Sequence, residues 1–256
     1  TLFFSLFSLK TPFRIGRIKG YTRFLLNYRT DTYSNSLTTD MVERNLLLAA
    51  PLEKIKPIQY TKEFRLYLTD QEKKDFRYYM EKEGIDFARP VFLIGVTTKL
   101  LHKKWNTEFM ITTLKRILEE YKDIQMIFNY APGYEEEDAR NIYKELGCPE
   151  RIKIDIQASS LRQLAALCAN CSFYFGNEGG ARHIAQALEI PSFAIYSPSA
   201  YKSMWLPTNS VLARGISPDD ILPPEQQATL TYEERFALIT PEKVYNQLTS
   251  TLRQLG

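Results

Sequence analysis

The residue types best suited to chemistry lie in one polar turn, from Asn177 to His183. It contains an acid, Glu178, followed by Gly179 and Gly180 at the start of a predicted helix. Two successive glycines allow positive φ and let a ligand approach the backbone closely. The first amide N–H groups of a helix are unpaired, carry the positive end of its dipole and bind phosphate. Such N–H groups, next to an acid that can accept hydrogen bonds from two hydroxyls, indicate a sugar-nucleotide site. The alternative is a glycine-rich turn with a solvated acid and a surface histidine.

A strand, a helix and a second strand position this turn. The aromatic run 173–175 stops at Gly176, as expected of a buried parallel strand. Pro191 ends the helix, and residues 192–196 form the next predicted strand. Apolar residues recur at the i, i+3, i+4, i+7 spacing of one helix face, at Ala181, Ile184, Ala185 and Leu188.

A second loop with suitable side chains follows the predicted strand 91–96. The hydroxyls of Thr97 and Thr98, the backbone amides and the ammonium of Lys103 can together hold a pyrophosphate. Ligands of parallel sheets bind at the carboxyl ends of the strands, where this loop must lie. The alternative for Lys103 is a solvated charge within a basic run.

The order of residues from Glu178 onward resembles a known signature. Glu178-Gly-Gly-Ala-Arg-His183 is followed by an alanine-rich helix, a proline and a strand that ends Ser-Pro. This order is similar to the donor-site signature of the heptosyltransferases, the glycosyltransferases that build the inner core of lipopolysaccharide. That family has Asp, then Ser or Thr, then Gly, and its strand ends Gly-Pro. This chain departs at Glu178, Gly179 and Ser197, and the longer acid moves the charge by one methylene.

The resemblance also implies roles for other residues. Thr97, Thr98 and Lys103 stand where the family has a hydroxyl-bearing loop and a lysine two residues before a tryptophan. An acidic cluster begins the helix after the predicted strand 124–129, where the family has a ribose ligand; a favourable contact with the helix dipole is the alternative. We expect donor or phosphate binding by these residues: Thr97, Thr98, Lys103, Glu136 (with Glu135 second), Asn177, Glu178, Gly179, Gly180 and His183.

The function that the resemblance implies is metal-independent, cofactor-free and inverting sugar transfer. A heptose would pass from an ADP-activated donor to a lipopolysaccharide core or other glycolipid acceptor, in the bacterial cytoplasm. The family's base lies in a Gly-Asp loop that these residues do not contain, so we expect it in a segment outside this chain. A nucleotide-binding module without transferase activity is the second hypothesis. A dinucleotide oxidoreductase is disfavoured because no G-x-G-x-x-G follows a strand.

From residue 91 onward strands alternate with helices, and the helices with bounds stated below have 10 to 16 residues, which is typical of a parallel sheet covered on both faces. We predict helices at 106–121, 134–146, 160–169 and 241–252, a further strand at 152–154, and a surface loop at 219–232. The fold class is α/β, similar to GT-B. Residues 89–256 form one complete doubly wound, Rossmann-like donor domain, and residues 1–88 are the remnant of an acceptor-side α/β domain.

The remnant carries weaker signals. We predict a helix end at 2–9, strands at 13–18 and 64–68, and capped helices at 41–50 and 69–83, with a linker at 84–90. Its basic residues Arg14, Arg17, Lys19 and Arg23 suit an anionic acceptor or the inner face of the membrane; a solvated edge is the alternative.

Composition excludes several classes of protein. The 256 residues carry 33 basic and 30 acidic side chains, and a net charge of +3 does not indicate nucleic-acid binding. No apolar run reaches the roughly 18 residues of a membrane span. The spacing of Cys168 and Cys171 is C-x-x-C, but their apolar surroundings favour buried free thiols over a metal or redox site.

Overall fold

A computed structural model describes residues 12–31, 40–206 and 210–255. The chain divides into two compact units, Thr1–Glu63 with Ser203–Thr208, and Phe64–Lys202 with Asn209–Gly256. This boundary falls after Glu63, whereas the sequence places the domain boundary near residue 88. The acceptor-side and donor-side roles of the two parts stay predictions, and the predicted helix end at 2–9 lies outside the described residues.

The first unit contains a short parallel strand pair and one capped helix. Strands β1 (Ile15–Arg17) and β2 (Tyr28–Thr30) pair in parallel. Strand β1 lies within the predicted strand 13–18, whereas β2 lies outside it. Helix α1 (Met41–Leu46) begins where predicted, because the Asp40 side chain accepts a hydrogen bond from the Glu43 N–H. It ends earlier than predicted, since the chain tightens into a 3₁₀ turn that contains a proline.

The second unit is built on a parallel sheet in the order β5-β4-β3-β6-β7-β8. Counted from its first strand, this is the order 3-2-1-4-5-6 of doubly wound folds, which confirms the predicted fold class. The strand order reverses between β3 and β6. The strands are β3 (Val91–Gly95), β4 (Gln125–Phe128), β5 (Ile152–Lys153), β6 (Phe173–Asn177), β7 (Ser192–Ile195) and β8 (Ala213–Ile216).

Helices cover both faces of this sheet. After α1 the helices of the chain are, in order, α2 (Asp70–Lys82), α3 (Thr107–Glu120), α4 (Tyr134–Glu145), α5 (Leu161–Ala169), α6 (Gly180–Ala187), α7 (Lys202–Trp205), α8 (Tyr232–Ala237) and α9 (Pro241–Leu255), of which α7 lies mostly in the first unit. Phe92 and Ile94 of β3 pack with α3, α4 and α9, whereas Val91 and Leu93 pack with α2, α5 and α6. Alternate side chains of the strand therefore supply two separate cores.

Three differences from the sequence predictions have local causes. The edge strand β8 was not predicted, because its sequence Ala-Arg-Gly-Ile has no apolar run. The predicted loop 219–232 is partly buried: Gln227 is 5% exposed and donates to Asp219 Oδ1 and the Leu222 carbonyl. No strand forms at 64–68, where the Leu66 N–H instead donates to the Ala187 carbonyl at the end of α6.

Candidate functional site

The predicted ligand loops meet where the strand order reverses. Strands β3 and β6 are direct neighbours, with Gly95 paired to Gly176. Thr97 therefore follows one strand and Glu178 the other at the same edge of the sheet. In doubly wound folds ligands bind in the crevice outside the carboxyl ends of the strands, at this switch point.

Glycines set how closely β3 and β6 approach. Strand β6 does not stop at Gly176 as predicted but continues through it to Asn177. Gly176 has φ +143°, and a Cβ there would lie 2.3 Å from the Gly95 carbonyl oxygen. The next two glycines do not adopt the positive φ that their residue type allows: Gly179 is extended at φ 176° and Gly180 is already helical. No described atom lies within 4 Å of a Cβ built on Gly179 or Gly180, so space remains in front of the N-terminus of α6.

Asn177 joins the two loops through its side chain. Its Oδ1 accepts from the Trp105 N–H at 2.7 Å, and its Nδ2 donates to the Gly95 carbonyl at 2.9 Å. Its own carbonyl accepts from the Tyr174 hydroxyl at 2.6 Å. Asn177 is 2% exposed, so its amide side chain is committed to the fold. The expected ligand contact of Asn177 stays a prediction for its backbone alone.

Lys103, Glu178 and His183 form one polar cluster around the Glu178 carboxylate. Lys103 Nζ lies 3.1 Å from Glu178 Oε2, and His183 Nε2 lies 3.5 Å from Glu178 Oε1. Glu178 is 6% exposed, and its burial by itself raises the pKa of the carboxyl. The hydrogen bond with His183 and the charge of Lys103 together outweigh burial, so the pKa of Glu178 lies below its ordinary value. Glu178 is thus a buried carboxylate in its charged form.

Two threonines line the loop after β3. Thr97 is buried, and its hydroxyl has no hydrogen-bond partner among the described residues. A buried hydroxyl without a partner is costly, which favours a ligand or water at that point. Thr98 is half-buried, and its carbonyl accepts from the Tyr134 hydroxyl at 3.1 Å.

The two acids in the first turn of α4, Glu135 and Glu136, have different surroundings. Glu136 accepts from Arg140 Nε at 3.0 Å, and Arg140 also binds Asp155. This i, i+4 pair is an ordinary helix-surface contact. Glu135 is buried, and burial raises the pKa of its carboxyl despite a hydrogen bond from the Ala131 backbone. A ribose contact by either acid stays a prediction.

Arg182 does not pair with Glu178, although their i, i+4 spacing allows it. Arg182 is fully buried, donates to Gln186 Oε1, contacts the ring of His183 and lies 5.9 Å from the Tyr196 ring centre. Sequence spacing could not show that Lys103, far away in the chain, takes the carboxylate instead. Arg182 therefore contacts His183 rather than the carboxylate of Glu178.

The cysteines agree with the sequence prediction. Cys168 and Cys171 are free and buried, and burial raises the pKa of the Cys168 thiol to about 12. Such thiols are protonated and unreactive at neutral pH. Within residues 12–31, 40–206 and 210–255 no group of three or more His, Cys, Asp or Glu side chains is arranged to hold a metal ion.

The model of glycosyltransferase family 9 (heptosyltransferase) matches residues 4–215. The chain belongs to this family. No curated protein sequence matches it.

Solved structures of family members share the fold. The ADP-heptose LPS heptosyltransferase II of E. coli has a TM-score of 0.66 at 22% identity, over 97% of this chain and 72% of that one. A family 9 glycosyl transferase of Veillonella parvula has a TM-score of 0.73 at 13% identity, over 97% and 69%. The E. coli heptosyltransferase WaaC, solved with ADP-2-deoxy-2-fluoro heptose, has a TM-score of 0.53 at 15% identity, over 89% and 60%. The GT-B-like α/β class is thus confirmed.

Proposed function

We propose that this family 9 chain binds a nucleotide-sugar at the switch point between β3 and β6 and transfers the sugar to a glycolipid acceptor. The observation that carries the proposal is the convergence of Lys103, the unpartnered Thr97 hydroxyl and the open N-terminus of α6 at one sheet edge. A cation, a hydroxyl donor and unpaired helix N–H groups are the groups that bind a diphosphate.

The proposed transfer needs two things: groups that stabilise the leaving diphosphate and a base that takes the acceptor's proton. The bond from the anomeric carbon to the donor's phosphate oxygen breaks as the acceptor oxygen attacks from the opposite side, which inverts the anomeric centre. The diphosphate leaves with the bonding electrons, and Lys103, Thr97, Thr98 and the first N–H groups of α6 stabilise its charge. Lys103 supplies the cation, so the step needs no metal. The acceptor's proton passes to a base, and we assign no such base within the described residues.

The donor we propose is ADP-heptose, and the acceptor a lipopolysaccharide core. The support is chemical and comparative: the site suits a diphosphate, one E. coli relative is named an ADP-heptose LPS heptosyltransferase, and WaaC is solved with ADP-2-deoxy-2-fluoro heptose. We place the reaction in the bacterial cytoplasm, since all three cysteines are free, as is usual in a reducing compartment.

A peripheral membrane contact is part of the proposal and rests on the first unit. Arg14 Nε donates to the Leu25 carbonyl and Arg17 to Asn45, so these two help to hold the fold. Arg23 is exposed beside Phe24, whose side chain is 85% exposed. A cation next to an exposed aromatic ring suits an anionic bilayer surface. No helix in the described ranges is both long and apolar enough to cross a membrane.

The membrane contact is tested by flotation with phosphatidylglycerol and phosphatidylcholine vesicles. We expect preferential binding to the anionic vesicles, reduced at least about threefold by Arg23→Ala with Phe24→Ala, because about 1 kcal/mol per cation and an apolar anchor are lost. Tyr67→Ala, at a 75% exposed ring of the second unit, is the matched control. Equal flotation of the double variant and the wild type would remove this part of the proposal.

Lys103→Ala tests the donor site. Titration calorimetry with ADP, GDP and UDP should show ADP binding that weakens about 10- to 100-fold in the variant, the usual value of a charge-assisted hydrogen bond. Lys104→Ala removes the neighbouring lysine, which pairs with Asp138 at 2.9 Å, and should bind ADP like the wild type. ADP affinity that is unchanged in Lys103→Ala would contradict the site.

A further inference from the structure

The carboxylate of Glu178 is already paired with the ammonium group of Lys103, which a diphosphate would need as its cation. Its Oε2 lies 3.1 Å from Lys103 Nζ, and the lysine side chain is 23% exposed. Lys103 is also the phosphate ligand of the proposed function, on which this inference rests. A phosphate oxygen and the carboxylate oxygen are both anions and therefore compete for the same ammonium group.

Hydrogen bonds fix the backbone at both ends of the pair, which keeps the Lys103 and Glu178 side chains within reach of each other. The Glu178 N–H donates to the Ile195 carbonyl at 2.9 Å, which fixes the backbone at the end of β6. Lys103 ends a 3₁₀ turn whose N–H donates to the Leu100 carbonyl at 2.7 Å, and Trp105 holds the same loop through Asn177. Because Glu178 is 6% exposed, water screens its pairing with Lys103 less than it screens a typical surface pair.

The carboxylate also has a second partner that ligand binding leaves in place. His183 Nε2 lies 3.5 Å from the other oxygen, Oε1. A ligand that takes Lys103 therefore leaves Glu178 buried with one partner fewer, which is unfavourable for a carboxylate that is 6% exposed. A sugar hydroxyl donated to Oε2 would replace the lost hydrogen bond.

We propose that Glu178 is a built-in competitor of the diphosphate and thereby discriminates between ligands. A nucleoside diphosphate without a sugar takes Lys103 from Glu178 and offers the carboxylate no hydrogen-bond donor in its place. A nucleoside diphosphate sugar removes Lys103 but gives the carboxylate a hydroxyl donor. The ion pair thus weakens the binding of the leaving product relative to that of the donor, which favours product release.

Glu178→Gln tests this proposal, because it keeps the side-chain length and the contact with His183 but removes the charge. By calorimetry we expect ADP to bind about three- to tenfold more tightly than to the wild type, the value of a partly exposed ion pair. The ratio of the Kd for ADP to the Kd for ADP-heptose should fall. Adding Glu178→Gln to Lys103→Ala should give no gain in ADP affinity, since no ammonium remains to be released.

Asp138→Asn is the matched control: it neutralises the partner of the adjacent Lys104, whose side chain is 20% exposed against 23% for Lys103. Its ADP affinity should equal that of the wild type. If Lys103→Ala weakens ADP binding but Glu178→Gln leaves it equal or weaker, the competition is contradicted and the proposed donor site survives. If Lys103→Ala has no effect, or neither wild type nor Glu178→Gln binds ADP, the donor site itself fails and the inference with it.

Discussion

Gly176→Ala is expected to lower the free energy of unfolding by about 3 kcal/mol or more, since it combines a strained φ with a backbone clash. The added Cβ would lie 2.3 Å from the Gly95 carbonyl oxygen and 2.7 Å from Gly95 Cα. Neither atom belongs to a flexible side chain, so β3 and β6 must separate to accept the methyl group. Urea unfolding followed by circular dichroism measures the loss.

Gly180→Ala is the matched control in the same turn. No described atom lies within 4 Å of its Cβ position, and the residue is already helical. Alanine is the better helix former by up to about 1 kcal/mol, so the variant should be as stable as the wild type or slightly more stable. Equal midpoints for Gly176→Ala and wild type would contradict the close approach of β3 and β6.

Trp105→Ala should cost about 3–5 kcal/mol of stability, the usual loss for a buried tryptophan. The side chain is 1% exposed, its Nε1–H donates to the Ile239 carbonyl at 2.9 Å, and its ring packs edge-on against Phe109. The Trp105 backbone is also the point at which Asn177 holds the Lys103 loop. We therefore expect ADP affinity to fall together with stability, measured by thermal unfolding and calorimetry.

Two further substitutions in the same loop serve as comparisons for Trp105→Ala. Trp105→Phe keeps most of the ring volume but leaves the Ile239 carbonyl without its donor, which should cost about 1–3 kcal/mol. Leu101→Ala removes a side chain that is 65% exposed and should change stability by less than about 0.5 kcal/mol. A Trp105→Ala protein that melts with the wild type would show that the indole does not anchor this loop.

The fold was largely predictable, because hydrophobic period and capping residues agree at most elements. Strand β3 and helix α2 both have local signals, a short apolar run and a capping box at Thr69 and Glu72, and both form where predicted. Strand β8 has no such signal, since its position follows from pairing with β7. Its buried Ala213 and Ile216 are too few for a pattern.

The candidate site was predictable as a set of loops but not as a set of contacts. Thr97 and Glu178 follow parallel strands, so topology alone brings them to one edge. The Lys103–Glu178 pair joins residues 75 positions apart and depends on the reach of two side chains. The role of Gly176 was missed because a glycine after three aromatic residues looks like the end of a strand. Only the neighbouring Gly95 backbone shows why β6 needs it.

The proposed function requires that a nucleoside diphosphate binds at the carboxyl ends of β3 and β6. The most direct measurement is titration of the ¹⁵N-labelled protein with ADP, followed by amide chemical shifts. We expect the largest shifts at the amides of Thr97, Thr98, Gly179 and Gly180. Shifts concentrated instead in the groove of about 470 Å³ between α2 and α5, which Glu72 and Arg162 line, would contradict it, as would no shifts at all.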